Sequence, residues 1–143
     1  MNRLSQMSSS VLSGFGILVT SRPHRARNRR QSLRFAWQGL CDAWRTQPNF
    51  RLQVGIGLSV VALGLWVGLS LIEWLWISFA IGLVLFAELM NTAIEQTIDL
   101  VVGLRPDPLA RRVKDVSAGC VLVSASIAFI IGCFTFIPHL LKG

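Results

Sequence analysis

The sequence predicts an all-α membrane protein, because two long segments lack formal charge and a third nearly does. The segments Leu52–Ile72 and Val116–Leu141 hold 21 and 26 residues without a formal charge, counting His139 as neutral. Each exceeds the roughly 20 residues that a helix needs to cross the hydrocarbon core of a membrane. Trp74–Ala87 adds 14 uncharged residues and runs into a stretch of mixed polarity. That stretch can also span if its polar face is sheltered, so three transmembrane helices are predicted.

The region before the first span has two parts. Residues 1–30 are rich in serine and arginine, and we interpret them as a disordered basic extension to a membrane domain over residues 31–143, with a signal or transit peptide as the alternative. Arg30–Thr46 has helical periodicity, with an apolar stripe of Leu33, Trp37, Leu40 and Trp44. This pattern is typical of an amphipathic helix at the membrane surface, with tryptophan at headgroup depth. Pro48 is expected to end this helix and Asn49 to cap the next.

The basic residues predict the orientation of the spans in the membrane. Nine of the 14 lysines and arginines precede the first span: Arg3, Arg22, Arg25, Arg27, Arg29, Arg30, Arg34, Arg45 and Arg51. Four more lie between the second and third spans: Arg105, Arg111, Arg112 and Lys114. The positive-inside rule then places the N-terminus and the Val101–Asp115 loop in the cytoplasm and the hairpin around Glu73 outside. Anionic lipid headgroups account for the net charge of +7, so no nucleic-acid partner is expected.

Two rows of small residues predict close helix packing. Gly64 and Gly68 form a small-xxx-small pattern in the first span. A longer ridge in the third span consists of Cys120, Ser124, Ala128 and Gly132. Such rows let helix backbones approach closely in lipid, so they indicate association within or between subunits.

A polar row on the second span carries the strongest functional signal. Its members are Glu88, Asn91, Glu95 and Asp99. On a helix they fall within about 80° and cover about 16 Å of the axis. Lys114 and Asp115 begin the third span across a short loop, which can bring them beside Asp99.

Carboxylates inside a membrane are costly and are functional by default. The alternative is that they pair with arginines and only hold helices together. Oxygen ligands suit Mg²⁺, which usually arrives with phosphates. The residues alone therefore leave open phosphate chemistry and ion transport.

The stretch "AELMNTAIEQTID" resembles the signature of the prokaryotic membrane diacylglycerol kinase and undecaprenol kinase family. That signature is Glu-x-x-Asn-[Ser/Thr]-Ala-x-Glu-x-x-x-Asp, and every fixed position matches. "ARRVKDVSAG" resembles the family's second block, including its Lys-Asp pair. "FAWQGLCDAW" and "NFRLQ" resemble the entry to the first span. The resemblance covers the chain from about Leu33 to the C-terminus.

The resemblance implies a homotrimer of three-span subunits that transfers the γ-phosphoryl group of ATP to a membrane lipid alcohol, with Mg²⁺. It implies that Glu88 is the general base and that Asn91 orients it. It also implies that Glu95 is a metal ligand. The ATP-binding residues would be Lys114, Asp115 and Asp99. The residues that help seat the lipid would be Asn49, Phe50 and Arg51. Where the family carries a second metal-binding glutamate, this sequence has Gln47.

Two alternatives to a lipid kinase are kept. One is a small ion- or proton-coupled transporter that uses Glu88 as its carrier site, and the other is a non-catalytic membrane subunit, which Gln47 makes plausible. A transporter has no need of Lys114 and Asp115 beside the carboxylates, so this pair favours the kinase.

Overall fold

The computed structural model describes residues 28–103 and 106–142, and they form four helices. These are α1 (Arg29–Thr46), α2 (Pro48–Val67), α3 (Leu71–Val102) and α4 (Pro108–Lys142). The last three are long and apolar enough to cross a membrane, which confirms the predicted all-α class with three spans. Residues 1–27 of the predicted extension, and Leu104 and Arg105 of the predicted loop, lie outside the described residues.

The chain divides into two compact units, residues 1–38 and 39–143. In the first, residues 28–38 are exposed and include Leu33 and Trp37 of the predicted apolar stripe. Helix α1 begins at Arg29, one residue before the predicted start of the helix at Arg30. The position of α1 at a membrane surface stays a prediction. The second unit holds the rest of α1 and the three long helices.

The junction between α1 and α2 is set by Pro48. The residue before a proline favours extended backbone, and Gln47 has φ −109° and ψ 103°. Proline suits the first helical position, where its missing N–H is not needed. Gln47 is therefore the N-cap residue of α2, and the expectation that Asn49 caps this helix is wrong, since Pro48 already begins it.

A tight turn joins α2 to α3, and it ends α2 at Val67, before the end of the predicted span at Ile72. Gly68 has φ 76° and ψ 52°, a left-handed conformation that glycine adopts without a Cβ clash. Its N–H donates to the Gly64 carbonyl at 3.0 Å, and the Leu69 N–H donates to the same oxygen at 3.2 Å. The predicted span Leu52–Ile72 is therefore divided, and its last two residues already belong to α3.

The start of α3 is fixed by a capping box. The Ser70 N–H donates to Glu73 Oε2 at 2.8 Å, and the Glu73 N–H donates to Ser70 Oγ at 3.4 Å. His139 Nε2, near the end of α4, lies 2.8 Å from Glu73 Oε1. Glu73 therefore lies in the first turn of α3 and joins this turn to α4.

The two glycines predicted to mediate helix association serve this turn within the subunit. A Cβ at Gly64 would lie 2.9 Å from Leu69 Cδ1 and 2.9 Å from Trp74 Cη2, so a larger residue here would force these two side chains at the start of α3 to move. Gly68 supplies the left-handed residue. In the ridge on α4, Ser124 is buried and Cys120 is exposed, and contact of the ridge with another subunit stays a prediction.

The core of the long helices is small, and most large apolar side chains face outward. Leu69, Ile77 and Phe136 form the buried cluster. Trp66 and Phe134 are 79% and 78% exposed. In water this surface would be unfavourable, because burial of apolar area is the main driving force of folding. In a membrane the lipid chains cover it, in agreement with the three spans.

Candidate active site

The polar row lies on one continuous helix, and its burial changes along α3. Glu88 is 3% exposed and Asn91 is 8% exposed. Glu95 is half-buried, and the Asp99 side chain is 59% exposed. The row therefore leads from a buried carboxylate to an accessible one, over the roughly 16 Å that its helical spacing sets.

Two side chains of α4 bond to this row. Ser117 Oγ donates to Asn91 Oδ1 at 2.6 Å, and Asn91 Nδ2 donates to Glu95 Oε1 at 3.0 Å. Lys114 Nζ donates to Asp99 Oδ1 at 2.5 Å. Lys114 thus lies beside Asp99, where the short connection between the spans was expected to bring it.

A polar cleft of about 350 Å³ lies where α3 ends and α4 begins. Its charged lining residues are Asp99, Asp107, Arg111, Lys114 and Asp115. Arg111 Nε is 3.9 Å from Asp115 Oδ2, and both side chains are largely exposed. The cleft therefore offers two cations and several carboxylates to a polar ligand.

The start of α4, which carries part of the cleft, is itself fixed by a cap. Asp107 Oδ1 accepts hydrogen bonds from the N–H groups of Leu109, at 2.7 Å, and Ala110, at 2.9 Å. A carboxylate at this position satisfies free amides and complements the positive end of the helix dipole. The first turn, from which Arg111 projects, is therefore well defined.

Glu88 lies at the apolar end of the row. Among the residues that the structure describes, no side chain or backbone group hydrogen-bonds its carboxylate. One helical turn earlier, Val84 lines an apolar groove of about 530 Å³ formed by all three long helices. The carboxylate thus has unused lone pairs and lies one helical turn from a residue that lines a space suited to a hydrocarbon chain.

Within the part of the chain that the structure describes, the residues predicted at the start of α2 make no hydrogen bond or ion pair with the polar row. Phe50 is 7% exposed and packs as a buried side chain. Asn49 and Arg51 are exposed. The Gln47 side chain makes no capping hydrogen bond. Their roles toward lipid and metal stay predictions.

No group of three His, Cys, Asp or Glu side chains in the described ranges, 28–103 and 106–142, could by itself hold a metal ion. Glu95 Oε1 accepts from Asn91, and its second oxygen has no hydrogen bond recorded in those ranges. That oxygen fits a hard cation that arrives with phosphate ligands of its own.

The sequence interpretation missed Ser117 and Arg111. A serine in an apolar span is unremarkable, because hydroxyls often bond the carbonyls of their own helix. The available signal was spacing: Ser117 follows Lys114 by three residues and therefore lies on the same face of α4. Arg111 precedes Lys114 by the same interval, but it was assigned only to the charge bias of the loop.

Comparison with known proteins shows which family contains this sequence. The profile of the family described as "Prokaryotic diacylglycerol kinase" matches residues 34–136. The chain belongs to this family. It is a lipid kinase of the diacylglycerol and undecaprenol kinase type, and thus a transferase with membrane helices.

Three relatives illustrate the similarity. The chain is 40% identical over 124 residues to an undecaprenol kinase of Bacillus subtilis (strain 168), covering 85% of this chain and 100% of the relative. It is 38% identical over 111 residues to a diacylglycerol kinase of Synechocystis sp., covering 78% of this chain and 63% of the relative. It is 29% identical over 105 residues to a diacylglycerol kinase of Escherichia coli (strain K12), covering 73% of this chain and 85% of the relative. These matches favour the kinase over the transporter and the non-catalytic subunit.

Proposed function

We propose that this lipid kinase transfers the γ-phosphoryl group of ATP to the hydroxyl of a membrane lipid alcohol, diacylglycerol or undecaprenol, with Mg²⁺. The observation that carries the proposal is the graded polar row. A buried carboxylate, one helical turn from the lining of an apolar groove, lies at one end, and a cleft with two cations lies at the other. A lipid hydroxyl and a nucleotide phosphate can therefore reach the same helix face from different surroundings.

In the proposed reaction, Glu88 accepts the proton of the lipid hydroxyl as the lipid oxygen attacks the γ-phosphorus. The bond between the γ-phosphorus and the bridging oxygen breaks, and ADP leaves with the electron pair. A general base must have an accessible lone pair within hydrogen-bonding reach of the proton it takes. Glu88 is suited to the first condition, since no hydrogen bond within residues 28–103 and 106–142 occupies its oxygens.

The phosphates are proposed to bind in the polar cleft. The Lys114 ammonium has three N–H donors, and its bond to Asp99 uses one of them. The other two can donate to phosphate oxygens, with Asp99 holding the amine in place. Asp115 and Arg111 line the same cleft, and arginine presents paired N–H groups that match phosphate geometry.

Glu95 is proposed to hold Mg²⁺ through the oxygen that Asn91 does not occupy, with Gln47 as a neutral second ligand. A bound Mg²⁺ would neutralise negative charge on the transferred phosphoryl group and on the phosphates of the departing ADP. Mg²⁺ commonly takes one or two carboxylates and otherwise binds phosphate and water. One carboxylate is therefore a sufficient protein contribution at this site.

The proposed setting is the inner membrane, with the polar cleft at the cytoplasmic face. A homotrimer is proposed, with α1 on the membrane surface and its basic residues against anionic headgroups. Asn49, Phe50 and Arg51 are proposed to help seat the acceptor lipid near α1.

The decisive assay measures ATP consumption by the purified full-length chain in detergent, with and without a lipid alcohol. We expect consumption to require Mg²⁺ and to rise when diacylglycerol or undecaprenol is added, with the matching lipid phosphate as product. Testing the two lipids side by side identifies the preferred acceptor. The control is the acetate ester of each lipid, which lacks the hydroxyl and should not stimulate. ATP consumption that ignores both lipids would count against the proposal.

The topology is checked by labelling single cysteines in intact cells, after the three native cysteines are replaced. Leu71 and Pro106 are exposed and lie at opposite ends of the spans. A membrane-impermeant thiol reagent is expected to label Leu71→Cys and to spare Pro106→Cys until the cells are opened. The reverse pattern would put the cleft outside, away from cytoplasmic ATP.

A further inference from the structure

Ser117 is a buried hydroxyl on α4 to which neither the sequence interpretation nor the proposed reaction gives a role. It is 4% exposed. Its Oγ lies 2.6 Å from Asn91 Oδ1 and 2.9 Å from the carbonyl oxygen of Lys114, in its own helix. A hydroxyl has a single proton to donate. The shorter contact crosses from one span to the other and reaches the centre of the polar row.

This contact determines how the Asn91 side chain is used. An asparagine amide has two ends of nearly equal size, one a carbonyl acceptor and the other an amino donor. In the structure, the carbonyl accepts from Ser117 and the amino group donates to Glu95 Oε1 at 3.0 Å. A carboxylate can only accept, so the reverse orientation would set two oxygens against each other at Glu95. Glu95 therefore selects this orientation, and Ser117 holds the amide in it by donating to the carbonyl.

From this arrangement we infer that Ser117 is a positioning residue, which fixes the Glu95 carboxylate for its cation by holding the Asn91 amide. The inference rests on the proposed function, in which Glu95 binds the metal. Ser117 itself touches neither substrate nor cation. Its effect passes through two hydrogen bonds in sequence, from α4 to Asn91 and then along α3 to Glu95.

Loss of the hydroxyl has a defined consequence. In Ser117→Ala, the buried Asn91 carbonyl loses its donor, and an unsatisfied buried acceptor is unfavourable. The amide is then held by Glu95 alone, so its position and that of the Glu95 carboxylate are less well fixed. We expect cation affinity to fall about fivefold, as for one hydrogen bond, because the Glu95 carboxylate must then be ordered during binding.

The chain offers a matched control in Ser124. It lies on the same helix, is likewise 4% exposed, and donates to the Val121 carbonyl of its own helix at 2.8 Å. Ser124→Ala therefore removes an equally buried hydroxyl that has no bond to the polar row. A purely structural effect of losing a buried serine should appear in both variants.

The test measures Mn²⁺ binding, which needs no turnover. Mn²⁺ is titrated into the purified full-length chain with a non-hydrolysable ATP analogue, and free Mn²⁺ is followed by electron paramagnetic resonance. We expect Ser117→Ala to need about fivefold more Mn²⁺ for half-saturation and Ser124→Ala to match the wild type. In an Asn91→Ala background, Ser117→Ala should have no further effect, since coupled residues are not additive.

Three results would each overturn the inference. Ser117→Ala could bind Mn²⁺ as tightly as the wild type, or Ser124→Ala could lose as much affinity as Ser117→Ala. Ser117→Ala could also cause its full loss of affinity again in the Asn91→Ala background. If Ser117→Ala does not fold, Ser117→Cys is measured instead. It keeps a side chain of similar shape with a much weaker donor, and wild-type affinity there also overturns it. The variant Glu95→Gln shows whether a negative result counts against the role of Ser117 or against the proposed metal site itself. If Glu95→Gln binds Mn²⁺ as the wild type does, the metal assignment is wrong and the inference falls with it.

Discussion

Glu88→Gln is expected to lower the turnover of lipid phosphorylation by at least about 10²-fold, the usual scale for loss of a general base. Glutamine keeps the size of the side chain but cannot accept a proton from the lipid hydroxyl. The fold should be retained, because a neutral amide is less costly than a carboxylate in this 3% exposed site. Turnover is measured at saturating ATP and lipid, alongside the elution volume of the purified protein.

Glu73→Gln is the matched control, since it is the same substitution on the same helix. Glu73 lies in the capping box at the other end of α3, about 22 Å from Glu88 along the axis. This change should weaken the cap and the contact with His139, and so lower thermal stability, while turnover stays close to the wild-type rate. Unchanged turnover in Glu88→Gln would remove that residue from the mechanism.

Glu95→Gln is expected to leave almost no kinase activity, because it removes the single carboxylate among the two proposed metal ligands. Gln47→Glu should act in the opposite direction and lower the Mg²⁺ concentration needed for half-maximal rate, since it adds a negative charge to the same site. The measurement is a Mg²⁺ titration of kinase rate at fixed ATP for the wild type and the two variants.

A second effect of Gln47→Glu must be separated from metal binding. Gln47 is the N-cap residue of α2, where a carboxylate also stabilises the helix through its dipole. Thr46→Glu places the same charge one residue earlier on an exposed side chain, and its Mg²⁺ titration should match the wild type. If Gln47→Glu does not change the Mg²⁺ concentration needed for half-maximal rate and Glu95→Gln stays active, the metal site is elsewhere.

The spans and the polar row could be predicted because both depend on patterns within one helix. The uncharged runs give the spans, and the spacing of Glu88 and Asp99 places them on one face for any continuous helix. The end of α2 was harder, since apolar residues continue through the turn and only the left-handed conformation of Gly68 ends the helix. Asn49 was chosen as a cap by residue type, but Pro48 had already begun the helix.

The contacts between helices could be predicted only where chain length forces them. Lys114 had to lie near Asp99 because a short connection joins α3 to α4. Ser117 lies 26 residues from Asn91 in the sequence, and its rotation about the α4 axis follows from packing along both helices. No property of a single serine in an apolar segment specifies that rotation. Whether Gln47 and Glu95 lie close enough to share a metal ion also depends on helix packing, and the Mg²⁺ titration tests it.

The gradient of exposure along α3 also bears on a side reaction that every kinase must limit. Water is a smaller nucleophile than any lipid alcohol and far more abundant at the membrane surface. The proposed base, Glu88, is the most enclosed member of the row, whereas the proposed phosphate-binding residues Lys114 and Arg111 have side chains that are 33% and 85% exposed. In the proposed reaction, the base is therefore shielded from bulk water, which limits how often it can activate a water molecule in place of the lipid hydroxyl. If the proposal holds, ATP bound in the polar cleft is hydrolysed only slowly until a lipid alcohol reaches Glu88.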